Sequence, residues 1–187
     1  MNAPQRIAVM GGAGSGKSTV ARRLGDSLGL QIVHLDRLAF GPGWGRVDAA
    51  TFRARLARLI EPAAWVVEGV YPEVADQVLS RADLTIWLDQ PLWRRLWRSW
   101  RKTRICRGAP RADRPEGCEE VFGWNYVWQI VHFGGWSQSL RHQLERASAG
   151  PVVRLRGDRA TVRFLASLER PDGSRPGHPG EGTPVVA

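Results

Sequence analysis

Short apolar runs alternate with longer stretches of helical spacing along most of the chain. Residues 6–10 (Arg-Ile-Ala-Val-Met) form a brief apolar run that ends in glycines, which predicts a buried strand. From Lys17 the rhythm changes: Val20, Leu24 and Leu28 recur every four residues, predicting a helix that stops near Gly29. Residues 31–35 predict a second strand with Asp36 at its carboxyl end. Phe52, Leu56, Leu59 and Ile60 mark one face of a helix, Arg53, Arg55 and Arg58 the other, and Pro62 ends it. Residues 65–69 and 84–89 predict a third and a fourth strand. Pro91 suits the first position of the next helix. That helix carries Leu92, Trp93, Leu96, Trp97 and Trp100 on one side and arginines on the other, a pattern that predicts tryptophans turned into the core. Residues 106–120, rich in glycine, proline and charge, read as loop. A tryptophan-rich helical stretch over 121–147, a fifth strand over 152–155 and a helix over 160–169 complete the order.

Strands alternating with helices imply an α/β fold, a parallel sheet covered by helices on both faces. The sequence of 187 residues suits one domain with a continuous core. We place that domain at 1–170, with a lid at roughly 93–147. Residues 171–187 hold four prolines and four glycines without helical spacing and are expected to form a disordered tail.

One motif carries specific chemistry. Residues 11–19, Gly-Gly-Ala-Gly-Ser-Gly-Lys-Ser-Thr, match G-x-x-x-x-G-K-[S/T], lying after a predicted strand and opening a predicted helix. Glycines let successive N–H groups turn inward on phosphates, and the helix start adds roughly half a positive charge. Gly12, Ala13, Gly14, Ser15, Gly16, Lys17, Ser18 and Thr19 are therefore the expected ATP contacts, with the Ser18 hydroxyl on magnesium. Lys17 is one of only two lysines among 27 basic residues, kept where a compact, flexible charge is wanted.

In an open α/β sheet, ligands bind beyond the carboxyl ends of the strands. Asp36, Glu68 and Asp89 fall there. Glu68 suits an acid that orients water on magnesium, so Ser18 and Glu68 form the expected metal set. Asp36 suits a base that takes a proton from an acceptor hydroxyl. Asp89 is expected to cap the helix after it.

The formal charge of +9 is unevenly spread. Residues 93–114 hold Arg94, Arg95, Arg98, Arg101, Lys102, Arg104, Arg107, Arg111 and Arg114 against the single acid Asp113. This is a local anion site rather than a uniformly basic surface. Arg94 and Arg98, with Arg141 from a later helix, are the candidate catalytic clamps on the transferring phosphoryl group. No apolar run has membrane-spanning length, no secretory stretch opens the chain, and Cys106 and Cys118 allow at most one disulfide. These features predict a cytoplasmic protein. The two cysteines, with His132 and His142, lack the paired Cys-x-x-Cys spacing of a zinc site.

With the phosphate motif, HLDRLAFGPGW (34–44), WVVEGVY (65–71), ADLTIWLDQPLWRRLWR (82–98) and EGCEEVFGWNYVW (116–128) occur in order. Together they resemble the DNA topology modulation proteins, an adenylate-kinase-like family of the nucleoside monophosphate kinase group. The resemblance spans roughly residues 5–170. It implies a P-loop fold with five parallel strands, an acceptor segment after the second strand, and an arginine-rich lid between the fourth and fifth. It also places adenine near the backbone around Arg156 and Arg159. Adenylate kinases follow their third strand with Asp-Gly-Phe-Pro-Arg, whereas this chain has Glu68-Gly69-Val70-Tyr71-Pro72, without the arginine that holds an acceptor phosphate. Trp44, in a Gly-Pro-Gly-Trp-Gly loop, is the expected acceptor contact. The expected activity is transfer of the γ-phosphoryl group of MgATP to a small hydroxyl compound or a nucleotide. Interleaved Arg and Trp at 93–104 also fit a nucleic-acid-associated regulator that uses ATP only as a switch, which would bind DNA tightly at physiological salt and respond to ATP. A phosphotransferase is expected to bind nucleic acid only weakly and without sequence preference.

Overall fold

A strand buried on both faces reads as a nearly continuous apolar run, and the chain's central strands do so apart from Thr85 and the charged residues at their ends. The computed structural model of the protein describes residues 3–105 and 123–168, with the side chains at 42, 125, 134–143 and 145 also outside the description. Five strands run parallel: β1 (Arg6–Gly11), β2 (Gln31–His34), β3 (Trp65–Glu68), β4 (Leu84–Asp89) and β5 (Val152–Arg156). Their order is β2-β3-β1-β4-β5. The chain leaves β1 toward one edge and returns to fill the other, so β1 lies where the winding reverses, the usual place for a ligand crevice.

Alternate side chains of β1 feed two cores. Ala8 and Met10 join Phe52 and Leu56 of α3 (Ala49–Leu59), Val74 and Val78 of α4 (Pro72–Leu79), and Leu144 of α6 (Trp124–Ala147). Ile7 and Val9 meet Val20, Leu24 and Leu28 of α1 (Lys17–Leu28) and Leu165 of α7 (Gly157–Leu168) on the opposite face. Asp48 starts α3 by accepting the Thr51 N–H at 2.9 Å, which satisfies one of the free donors of the first turn.

The structure departs from the sequence expectations at four places. Asp36 lies in the first turn of α2 (Leu35–Ala39), not at a strand end, because β2 stops at His34. Helix α4 interrupts what the sequence pattern passes over as connection, with Pro72 in its first turn and Val74, Val78 and Leu79 buried. Asp89 ion-pairs with Arg154 and Arg156 of the adjoining β5. Helix α5 (Leu92–Ile105) is turned the other way: Arg95, Ser99 and Thr103 are buried while Trp93, Trp97 and Trp100 stand in solvent. Its inner neighbour is a polar loop, whose carbonyl groups need donors rather than rings. The predicted loop at 106–120 and tail at 171–187 lie outside the described residues.

Candidate active site

The turn between β1 and α1 is shaped by what presses on it. Gly14 has φ +74°, and a Cβ there would run into the Arg95 carbonyl and sit 2.7 Å from Ser99 Oγ. At Gly12 a Cβ would collide with the Arg95 guanidinium and lie 2.7 Å from Phe133 Cδ1. Glycine is therefore demanded by the closeness of α5 as much as by backbone conformation. Arg95 locks the contact: its Nε donates to the Ala13 carbonyl at 3.0 Å, its Nη2 to the Ile130 carbonyl at 3.0 Å, and its guanidinium stacks over Phe133.

Lys17 Nζ donates to the Gly12 carbonyl at 3.2 Å, folded back across the loop. Burial lowers the pKa of its ammonium, while Glu68 and Asp36 pull it back up. Ser18 Oγ donates to Glu68 Oε1 at 3.2 Å. His34 Nδ1 lies 2.8 Å from the same oxygen, since His34 and Glu68 are register partners on β2 and β3. Burial alone would raise the Glu68 carboxyl, but hydrogen bonds from His34 and Ser18 and the Lys17 charge hold it below its usual range. An ionised Glu68 only accepts, so His34 carries its hydrogen on Nδ1. Ser15 Oγ is buried with no protein partner, a polar atom facing the same turn.

Asp36 opens to solvent on one side and is enclosed by protein on the others. Burial, then the neighbouring Glu68, raise its carboxyl above the ordinary range; the Tyr71 hydroxyl, donating to Oδ1 at 2.6 Å, and Lys17 oppose this. Tyr71 is in turn held edge-on by Phe40 and Phe52, and Phe40 by Trp44 at 5.3 Å. Trp44 has φ +61°, the only positive φ at a non-glycine residue among the described residues. Of the arginines beyond Asp36, Arg46 and Arg53 are ion-paired with Glu73 and Asp76.

The arginines expected as clamps divide. Arg98 Nη2 donates to both oxygens of Asp158 at 2.7 Å, and Arg94 Nη1 lies 3.4 Å from that carboxylate. Both face the start of α7, and Arg98 also borders the phosphate loop, its Nη1 3.5 Å from the Ser15 carbonyl. Arg104 stacks over Trp100 on the outer face. Arg141 belongs to α6, but its side chain, like all of Arg107 and Arg111, lies outside the described residues. Three site residues escaped the sequence reading: His34, Tyr71 and Asp158. Lys102 entered it only as one of the nine basic residues at 93–114, though a further signal singled it out. It is the second of the two lysines, and it lies near enough to both Lys17 and Asp36 to act on their charges.

No protein-family model matches the chain, and no curated protein does. Solved structures do match. Shikimate kinase from Acinetobacter baumannii, in complex with shikimate, is 17% identical with a TM-score of 0.56, over 88% of this chain and 90% of that one. Shikimate kinase from Bacteroides thetaiotaomicron is 16% identical, TM-score 0.51, over 89% and 99%. Deoxyadenosine kinase from M. mycoides, with bound dATP, is 11% identical, TM-score 0.52, over 86% and 97%. At such identities the likeness is one of fold, and the resemblance to DNA topology modulation proteins rests on its motifs alone. The five-stranded parallel sheet, its order and its phosphate loop give this chain the fold of the P-loop kinases.

Proposed function

We propose that the protein is an ATP-dependent phosphotransferase that moves the γ-phosphoryl group of MgATP to a hydroxyl of a small molecule bound near Asp36 and Trp44. The observation that carries this reading is that Ser18 of the phosphate loop and His34, two residues before Asp36, meet on one oxygen of Glu68 at 3.2 and 2.8 Å, so the phosphate cradle and the candidate base adjoin one site. The N–H groups of residues 12–19 cradle the phosphates, and Lys17 swings from the Gly12 carbonyl to the β- and γ-phosphates. Asp36, oriented by Tyr71, takes the proton that the acceptor hydroxyl sheds as its oxygen bonds the γ-phosphorus and the bond to ADP breaks. Lys102 meets the charge on the transferring group from the side of α5. Arg98, steadied by Asp158, borders the phosphate loop near the base-binding end.

A hydroxyl and an ionised carboxylate, Ser18 and Glu68, are hard oxygen donors that fit magnesium. Among the described residues no cluster of three His, Cys, Asp or Glu could hold a metal unaided. Magnesium needs none, because it keeps waters and shares the nucleotide phosphates. When bound, it neutralises charge on the β- and γ-phosphates.

The pairing of Arg46 and Arg53 with acids, and the missing arginine after Gly69, favour a hydroxyl over a phosphate acceptor. The test is ADP release from MgATP across a panel of hydroxy acids, sugars, nucleosides and nucleotides. Stimulation by a hydroxyl compound, abolished in Asp36→Asn, supports the reading. Turnover on nucleoside monophosphates alone overturns it in favour of an adenylate-kinase-like reaction.

A further inference from the structure

Helix α5 has two faces with opposite tasks. Arg95, Ser99 and Thr103 are buried on the side of the phosphate loop. Trp93, Trp97 and Trp100, at i, i+4 and i+7, stand in solvent with 64%, 51% and 41% of their surface exposed. Each large ring can cover roughly 150–250 Å², so a stripe left in water signals a surface that another body covers. Leu96, Trp97, Trp100 and Val127 line an apolar groove of about 370 Å³ between α5 and α6.

The stripe is also cationic. The guanidinium groups of Arg94, Arg101 and Arg104 lie over the rings of Trp93, Trp97 and Trp100 at 5.0, 5.4 and 4.8 Å. Arg94 also pairs with Asp158, so the positive charge of this face rests mainly on Arg101 and Arg104. No acidic residue occurs between positions 92 and 105. What covers this face must therefore be apolar and anionic together. We propose that the α5 tryptophan–arginine face docks on an anionic lipid surface, the rings at headgroup depth and the arginines on lipid phosphates.

Three observations favour this occupant. Tryptophan settles at the boundary of hydrocarbon and water, and a helix with aromatic and cationic faces lies flat in that plane. A second copy of the chain would set one acid-free cationic stripe against another, which charge repulsion opposes. Single-stranded nucleic acid stacks bases on open ring faces. Here an arginine lies over each ring, and the exposed aliphatic side chains of Leu92 and Ile105 at the two ends of the helix offer a base nothing. The attachment is peripheral, since no helix among the described residues is long and apolar enough to cross a membrane.

The full chain is sedimented with phosphatidylcholine vesicles, either pure or with about a third phosphatidylglycerol, each arginine near such a surface strengthening binding about fivefold. Binding to the anionic vesicles alone, weakening as salt rises, is the expected result. Bromine-labelled lipid should quench the wild-type tryptophan fluorescence, a readout that needs no variant. The double variant Trp97→Ser/Trp100→Ser, folded by circular dichroism, should bind at least about tenfold more weakly, since covering one large ring contributes about that factor. Equal or absent binding to both vesicle types, no bromine quenching, or wild-type affinity in the double variant overturns the proposal. So does an oligothymidylate that binds more tightly than the anionic vesicles at the same salt, which would make the face a nucleic-acid surface.

Discussion

Asp36→Asn changes the chemistry of the candidate base while nearly preserving its shape. The Tyr71 hydroxyl donates to Asp36 Oδ1 at 2.6 Å, and an amide carbonyl can accept the same bond, so the local structure should survive. What disappears is the proton acceptor. General-base catalysis contributes typically about 10²–10⁴-fold, so turnover should fall at least about a hundredfold. Affinity for ATP should change little, because its cradle is a different loop. The variant also carries a stability signature. Burial and Glu68 hold the Asp36 carboxyl above its ordinary 3.8, so the folded protein keeps a proton that the unfolded chain has released. That contribution to stability is complete below pH 3.8 and is lost as pH rises through the raised value. At neutral pH the ionised Asp36 is thus a net cost, and Asn removes it. Because the carboxylate opens to solvent on one side, the gain is small, about 1 kcal/mol or less. In a chain of this size that raises Tm by at most about 2–4 °C. Turnover of the wild type should fall as pH drops through the same raised pKa. The assays are kcat, the ATP Kd, and thermal melting at neutral pH and near pH 4. A variant that turns over near normally, or that melts well below wild type at neutral pH, would refute the assignment of Asp36 as a desolvated base.

Lys17→Ala should leave the melting temperature nearly unchanged, since its ammonium makes one bond to a loop carbonyl, yet weaken ATP binding and lower turnover on the order of a thousandfold. Unchanged nucleotide binding in a titration would exclude residues 11–19 as the cradle. Gly14→Ala must adopt φ +74° and push its methyl against the Arg95 carbonyl and Ser99, costing about 1–3 kcal/mol. Calorimetry should show lower stability together with lost ATP binding; a variant normal in both would mean that α5 does not press on this loop. Lys102→Ala should lower kcat more than about tenfold with little effect on the ATP Kd, as expected of a cation used in the transition state. An unaltered kcat would remove α5 from the catalytic machinery.

The strands, their parallel arrangement and the phosphate loop were legible in the sequence because each follows from local pattern. A fully buried strand shows as an unbroken apolar run, as in Ile7–Ala8–Val9–Met10, and the glycine-rich turn needs its own residue types whatever surrounds it. Glu68 and Asp36 were legible as acids at one edge, but their states were not. The His34 bond to Glu68 depends on register between β2 and β3, and the Tyr71 bond to Asp36 joins residues 35 positions apart. Helix α4 was missed because its eight residues are too few to display a convincing period. The deepest difference is α5. Its period was readable, but period fixes only which residues share a face, not which face turns inward. That was decided by tertiary contact: the inner surface available to α5 is the backbone of a phosphate loop, whose Ala13 carbonyl and close-packed glycines accept Arg95 and Ser99 and exclude indole rings.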